Sequence, residues 1–310
     1  MNSLCKVLTV ALTAIGACGD FPLVQKQVAV IPRRSELFAG EVQQFRARLA
    51  APVDSDRVKW TATGGTISDR GVFTASGSAG RFVVVATARD ASDTAVVLVA
   101  PGRRKVYEAQ FLTPEQQLSE GGRWVHTDTL LTTCQTVNGR AFGTQSGRNG
   151  YDDSNAYVTG FGDDYEIEGV VWINPRLSGP GNREVELLLR WSDDGPIRST
   201  SFGPTHANGY EINAQHAGAY MQLGRFKGAL LKQVDNYAVP RAGDRFRARI
   251  EGQRIRVWWN DVLKIDFTDS SPRLQLSSGN PGIGFYVSGG APNTDFGFES
   301  VRVTNLPPVR

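Results

Sequence analysis

The chain has 310 residues, with 34 Lys+Arg against 31 Asp+Glu and a formal net charge of +3. At roughly 150 residues per domain that length implies about two domains, and the charge balance implies no polyanion-binding surface, so no nucleic-acid partner is expected. Hydrophobic residues at 40% and charged residues at 21% exclude a disordered chain, no apolar run reaches the roughly 18 residues of a spanning helix, and three Cys and three His leave little material for a zinc site or a disulfide-stapled miniprotein.

The N-terminus reads as an address. Met1–Lys6 carries one positive charge, and Val7–Ala17 is an eleven-residue apolar run of the kind found in a signal-peptide h-region. The run ends Ile15-Gly16-Ala17-Cys18. Small residues directly before a Cys resemble the lipobox of bacterial lipoproteins; an ordinary secretory signal is the alternative. The resemblance implies a signal peptide over 1–17, lipid on Cys18 and a short tether over 18–26. More than one acyl chain suffices for stable anchoring, so membrane contact is expected through that lipid alone. Gly19 rather than Asp after the Cys points to the outer membrane or surface of a bacterial cell envelope. With Cys5 removed and Cys18 lipidated, Cys134 is the one remaining thiol, and no intramolecular disulfide is expected.

Residues 27–101 read as short strands. Val28–Ile31 is apolar; Val42–Leu49 places Phe45, Ala47 and Leu49 on one face; Val58–Ala62, Gly71–Ala75, Arg81–Ala88 and Thr94–Val99 follow. Gly64-Gly65, Asp69-Arg70-Gly71 and Ser76–Gly80 supply the turns. Period-2 patterning at this spacing predicts an antiparallel sandwich. "VKWTATGGTISDRGVFTA", with "GRFVVVATA" and "TAVVLV", resembles the second group of bacterial Ig-like domains. The resemblance implies an Ig-like fold in which Trp60 packs without a disulfide, serving as a spacer or adhesive module. Residues 102–105 form a basic, turn-prone linker.

From 106 to 305 the chain is again all-β, in longer strands, with a tail at 306–310. Tyr165–Ile173 and Glu184–Trp191 alternate, and Gly209–Asn213 and Tyr220–Leu223 are further strands. Arg245–Ile250, Arg254–Trp259 and Val262–Phe267 form a meander with turns at Glu251-Gly252-Gln253 and Asn260-Asp261. Gly282–Val287 and Phe296–Val303 close the domain. "GDRFRARIEGQRIRVWWNDVLKIDFTD", "SGNPGIGFYV" and "DFGFESVRV" resemble the last strands of concanavalin A-like lectin/glucanase sandwiches of the laminin-G-like type, and "GYEI" and "YMQLGRFKG" fit the middle strands. The resemblance implies a larger jelly-roll sandwich. It leaves the activity open, because that fold hosts lectins, glycosidases, lyases and plain adhesion modules.

Any chemistry must sit on a sheet face. Alternation puts Glu166, Glu168 and Trp172 on one face of their strand, and Glu184, Glu186 and Arg190 on one face of the next. If the two strands are neighbours, four carboxylates, a Trp and an Arg line one surface. Glycoside hydrolysis needs two carboxylates, roughly 5–5.5 Å apart for retention and 6.5–9.5 Å for inversion. A solvated face with cross-strand Glu–Arg pairs is the plain alternative, and "DYEIEG" lacks the Glu-x-Asp-x-x-Glu pattern of laminarinase-type members. His206 and His216, in a loop region, are the material for lyase chemistry. Binding without turnover asks for aromatic platforms and planar polar groups. Trp172, Tyr210, Tyr220 and Trp258 are the candidate platforms, with Arg190, Arg254 and Arg256 as donors, whereas Ile255, Val257, Trp191 and Trp259 belong to the core. Calcium is the one candidate cofactor: Asp152, Asp153, Asp163, Asp164 and Asp295 offer oxygen ligands, though turn formation also explains them and no EF-hand spacing is present. No P-loop, Rossmann fingerprint or Gly-x-Ser-x-Gly elbow occurs. The sequence therefore reads as an envelope lipoprotein whose second domain binds a polysaccharide or glycan-bearing partner, with glycan cleavage or a purely structural, adhesive role as alternatives.

Overall fold

The computed structural model describes residues 28–50, 58–89, 91–128, 130–145, 153–177, 180–193, 197–200, 203–226, 228–273 and 275–307. The fold is all-β; the one short helix among these residues is a 3-10 turn at Asn293–Asp295. The chain divides into two compact units. The first comprises residues up to Ser35, Val42–Thr74 and Arg81–Val97; the second comprises Leu98–Arg310 with Glu36–Glu41 and Ala75–Gly80.

The N-terminal strands are β1 (Val28–Ile31), β2 (Arg34–Phe38), β3 (Val42–Gln44), β4 (Arg46–Leu49), β5 (Lys59–Ala62), β6 (Thr66–Ile67), β7 (Val72–Thr74), β8 (Gly80–Ala88) and β9 (Ala91–Ala100). They form three small sheets, in the orders β1-β4, β2-β9-β8-β5 and β3-β7-β6. Val30, Phe45, Phe73, Val84, Ala86 and Val97 are fully buried, and Phe45 meets Phe73 edge-on at 6.3 Å. Phe45 faces inward as its alternation requires. Trp60, expected as the packed aromatic, is only half-buried.

The second unit contains β10 (Val106–Ala109), β11 (Trp124–Val125), β12 (Thr132–Val137), β13 (Arg140–Gly143), β14 (Ser154–Val158), β15 (Tyr165–Ile173), β16 (Arg183–Ser192), β17 (Arg198–Thr200), β18 (Gly203–Thr205), β19 (Asn208–Gln215), β20 (Tyr220–Arg225), β21 (Leu230–Asp235), β22 (Arg245–Glu251), β23 (Arg254–Trp259), β24 (Val262–Thr268), β25 (Asn280–Val287) and β26 (Phe296–Asn305). Apart from the β17–β18 hairpin, β10 (paired with β26) and β11 (paired with β14), they pair in the order β21-β20-β19-β16-β25-β14-β12-β13-β26-β15-β22-β23-β24. Strand β12 turns the corner: Thr132 and Thr133 pair with β14, whereas Cys134–Val137 pair with β13. The strands on the β14 side, β21 to β14, form sheet I; those on the β13 side, β13 to β24, form sheet II. One apolar cluster fills the space between them, with Val185, Leu187, Leu189, Ile212, Met221 and Phe285 from sheet I and Ile167, Phe246, Ile250, Ile255, Val257 and Phe298 from sheet II.

Alternation explains most of this. Strand β23 runs exposed Arg254, buried Ile255, half-buried Arg256, buried Val257, half-buried Trp258, buried Trp259. The Asn260–Asp261 turn has φ of 48° and 63° at its two residues, the left-handed pair that a tight hairpin demands. Strand β16 departs from the pattern, with every residue from Arg183 to Trp191 buried. Its outward Leu188 lies in a second cluster with Tyr157, Trp191, Ala207, Phe226 and Leu131, on the side of sheet I away from the main core.

Candidate functional site

Strands β15 and β16 are not neighbours. β15 pairs with β26 and β22 in sheet II, and β16 pairs with β25 and β19 in sheet I. The connection between them crosses the sandwich, so the expected single surface of four carboxylates is replaced by two separate faces.

The face of sheet I is built on β16. Val185, Leu187 and Leu189 point into the core, so Glu184, Glu186 and Leu188 point outward. The strand register carries this face across six strands as one row: Gln233, Gln222, Asn213, Glu186, Gly284 and Asn155. Glu184 stands in the adjacent row, opposite Gln215 on β19 and Tyr286 on β25. Its carboxylate accepts hydrogen bonds from the Tyr220 hydroxyl and the Asn182 amide on one oxygen and from Asn213 Nδ2, at 2.9 Å, on the other. Asn182 Nδ2 also donates to the Tyr220 hydroxyl at 2.7 Å. Burial pushes the Glu184 carboxyl above its usual range; the three hydrogen bonds oppose this, and the nearby Asp153 charge adds to it. At the far end His126 Nδ1 lies 3.1 Å from Asn155 Oδ1. A Cβ at Gly284 would crowd a Glu186 carboxylate oxygen, so that side chain would have to shift to admit one. None of the described residues in these two rows is a Lys or Arg.

Next to these rows the face is closed. Leu188 and Tyr157 are covered by Trp191, Phe226, Ala207 and Leu131. Two buried carboxylates tie the covering segments together. Asp128 accepts from Leu130 N at 2.7 Å, Thr205 Oγ1 at 2.8 Å and His206 N at 2.8 Å. Asp193 accepts from Thr127 N at 2.7 Å and Thr127 Oγ1 at 2.6 Å.

The outer face of sheet II carries the other carboxylates in a charge ladder. Arg247 is 3.3 Å from Glu166 and 3.7 Å from Glu168; Arg249 and Arg256 hold Glu251; and Arg254 donates to Asp266 at 2.7 Å. Glu166 and Glu168 line a 380 Å³ groove with Arg104, Arg249 and Arg302. Burial raises the Glu168 carboxyl, and Arg245 and Arg247 hold it back. The two aromatic platforms expected here are occupied. The Arg247 guanidinium lies 4.4 Å from the Trp258 ring centre with Arg256 at 5.6 Å, and Arg140 lies 3.6 Å from that of Trp172. Most of the charges on this face are paired, and both rings are covered by guanidinium groups.

Several other candidates sit elsewhere. Tyr210 is fully buried, its hydroxyl donating to Asp269 at 2.6 Å, so it offers no stacking face. Arg190 is buried, with φ of 49°. A register shift between Leu189 and Ser192 takes it out of line, and its guanidinium binds Asp164 and the carbonyls of Asp163, Gly252 and Leu276. Asp295 pairs with buried Arg183 at 2.9 Å, and Asp153 is itself buried. Asp152 and Cys18 lie outside the described residues. Among those residues no group of three His, Cys, Asp or Glu could hold a metal ion. His216 is lowered by burial and beside Phe296, and His206 joins the Asp128 tie through its backbone. Of the expected platforms only Tyr220 joins the sheet I rows. Asn182, Asn213, Gln222, Tyr286, Asn155 and His126 were not anticipated. The visible signal was polar alternation in Glu211-Ile212-Asn213-Ala214-Gln215 and Tyr220-Met221-Gln222-Leu223.

No protein-family model matches the chain, and no curated protein matches it. Solved structures do. The carbohydrate-binding module CBM66 from Bacillus subtilis is 19% identical with a TM-score of 0.39, over 61% of this chain and 96% of that one. A Bacillus subtilis protein of unknown function with a galectin-like fold is 9% identical with a TM-score of 0.46, over 66% and 96%. A Bacillus licheniformis β-glucanase is 12% identical with a TM-score of 0.38, over 66% and 98%. The second unit is a jelly-roll sandwich. With TM-scores below 0.5 these likenesses carry no argument about function, which rests on the chain's own residues.

Proposed function

We propose that the second unit binds carbohydrate on the outer face of sheet I. The observation that carries this reading is the row Gln222-Asn213-Glu186-Asn155, flanked by Glu184, Tyr220 and Tyr286. Amides donate and accept in one plane and carboxylates accept at two oxygens, which suits the vicinal hydroxyls of a sugar. Tyr220 and Tyr286 supply apolar ring faces with a polar tip. With no Lys or Arg in the described rows, the face suits a neutral glycan. In this reading the first unit is a bacterial Ig-like spacer and Cys18 carries the lipid that holds the protein in the cell envelope.

The second reading is hydrolysis. Glu184 and Glu186 stand two residues apart on one strand face, a Cα spacing of about 6.8 Å, and Glu184 has the raised pKa of a general acid. One experiment separates the two. The full chain is run in affinity gels against neutral polysaccharides, and the same samples are assayed for new sugar ends. Binding predicts retention without products, weakened about tenfold by Asn213→Ala or Tyr220→Ala, the scale of one lost hydrogen bond. Products that vanish with Glu184→Gln establish hydrolysis instead. Retention lost with Trp258→Ala but indifferent to Asn213→Ala moves the site to sheet II.

A further inference from the structure

We propose that the second unit carries a site for a phosphate monoester, apart from the sheet I face and independent of the carbohydrate reading. The basic run that ends at Lys105 reads in the sequence as a linker. In the structure Arg104 and Lys105 line a 640 Å³ cavity together with Tyr107, Arg123, Val158 and Phe161. That volume falls in the range of about 300–1,000 Å³ usual for small-molecule sites. Three strands build it. Tyr107 comes from β10, Arg123 stands at the entry to β11, and Val158 ends β14, with Phe161 just beyond. Pairing of Trp124 with Val158 fixes the second wall against the third. Three of the described lining residues are cations and none is a carboxylate.

Two of those cations are uncompensated. Arg104 is held by Glu41. Lys105 donates to the Gly160 carbonyl at 2.8 Å, and its backbone N–H donates to Asn305 Oδ1 at 2.6 Å. The Arg123 guanidinium lies 5.6 Å from the Tyr107 ring centre. Among the described residues neither Lys105 nor Arg123 pairs with a carboxylate. Glu120, which accepts from the Tyr107 hydroxyl and from Trp124 Nε1, lines a separate 410 Å³ cavity with Glu108 and Glu115. The acids and the cations around Tyr107 are thus sorted into two cavities.

The charge selects the ligand. The Lys105 ammonium keeps two donors after its bond to Gly160. The Arg123 guanidinium presents a fork that fits phosphate oxygens. Two uncompensated positive charges match a phosphate monoester, which carries about −1.5 to −2 near neutral pH; a carboxylate answers only one. Half-buried Phe161 gives the organic part of the ester an apolar wall. A soluble sugar phosphate and a lipid headgroup both present this chemistry.

The test uses the full chain with Cys5→Ser and Cys18→Ser, so that no attached lipid contributes. Inorganic phosphate and glucose 6-phosphate are titrated by calorimetry at neutral pH and low salt. Co-sedimentation is measured with phosphatidylcholine vesicles, with and without phosphatidic acid. The site predicts saturable binding of at least one phosphate probe, weakened about tenfold by Lys105→Gln or by Arg123→Gln, the scale of one charge-assisted hydrogen bond. Both side chains are exposed, and both variants are expected to melt with the parent. Lys232→Gln, on β21 at the far end of sheet I, leaves the binding unchanged. A response to inorganic phosphate or glucose 6-phosphate assigns the site to soluble phosphates; a response to phosphatidic acid vesicles alone assigns it to a lipid headgroup. No binding of any probe overturns the site, as does binding that survives both substitutions together or falls equally with Lys232→Gln.

Discussion

Glu184 shows how much a single position depends on its surroundings. Burial is the largest influence on its carboxyl, and hydrogen bonds from Tyr220, Asn213 and Asn182 only partly compensate. The folded protein therefore holds this proton more tightly than the unfolded chain, whose value is near 4.5. The stabilisation is complete below that pH and is lost as pH rises through the folded-state value. Glu184→Gln removes the dependence, so its melting temperature is expected to gain on that of the parent as pH is raised from 4.5 towards neutrality; parallel thermal melts check this. A constant difference across that range would show that the site ionises freely. Arg190 is the opposite case, a cation enclosed by acceptors. Arg190→Ala removes the cation paired with the buried Asp164 carboxylate and the donor to three carbonyls and is expected to lower stability by about 3–5 kcal/mol in urea titration, with glycan retention per folded molecule unchanged. Alternation alone put Arg190 beside Glu186. It could not show the register shift after Leu189, which turns the side chain towards Asp164 instead.

At the scale of strands, β23 was legible to the last residue and β16 was not. The buried Ile255, Val257 and Trp259 follow from simple period-2 reading. In β16, Glu184 and Glu186 do point away from the core as expected, yet both are buried. Nothing local to the strand encodes what lies above it, and nothing local announces that β15 and β16 belong to different sheets. Chain neighbours pair about two-thirds of the time, which made adjacency the natural expectation. The two faces now predict different sensitivities. Trp258→Ala removes two guanidinium contacts and is expected to cost about 1–2 kcal/mol, read by chemical denaturation, while leaving glycan retention alone. Gly284→Ala forces a methyl group against the Glu186 carboxylate. It is expected to weaken retention more than tenfold and to cost about 1–3 kcal/mol, the range for overpacking. Retention unaffected by Gly284→Ala would place the sugar away from Glu186.

For the molecule as a whole, the all-β content was readable from turn residues and alternation, and the jelly-roll class from the resemblance of the last strands to concanavalin A-like sandwiches. The polar row was not, because it is assembled from six strands scattered between Asn155 and Gly284 and exists only once their register is set. Cys134 illustrates the same dependence. The sequence left it as the one remaining thiol; it is fully buried, and its surroundings, burial first, push the thiol well above its ordinary range. A chain in which Cys5 and Cys18 are replaced by Ser is therefore expected to react with a thiol reagent only as fast as it unfolds. It should also run as a monomer on gels without reductant. Rapid reaction under native conditions would contradict the placement of β12.

The position of β12 has another consequence. By pairing with β14 at one end and β13 at the other, it joins the two sheets, and the main path of paired strands ends at β21 and β24. Unpaired strand edges are where a protein recruits further copies of itself into fibrils. The two strands that end this path each carry a lysine, Lys232 and Lys264. A charge that must be desolvated or matched before another strand can dock works as a guard. The exposed Leu230, Val262 and Leu263 on the same strands are what those lysines keep from becoming the seed of an aggregate at high local concentration.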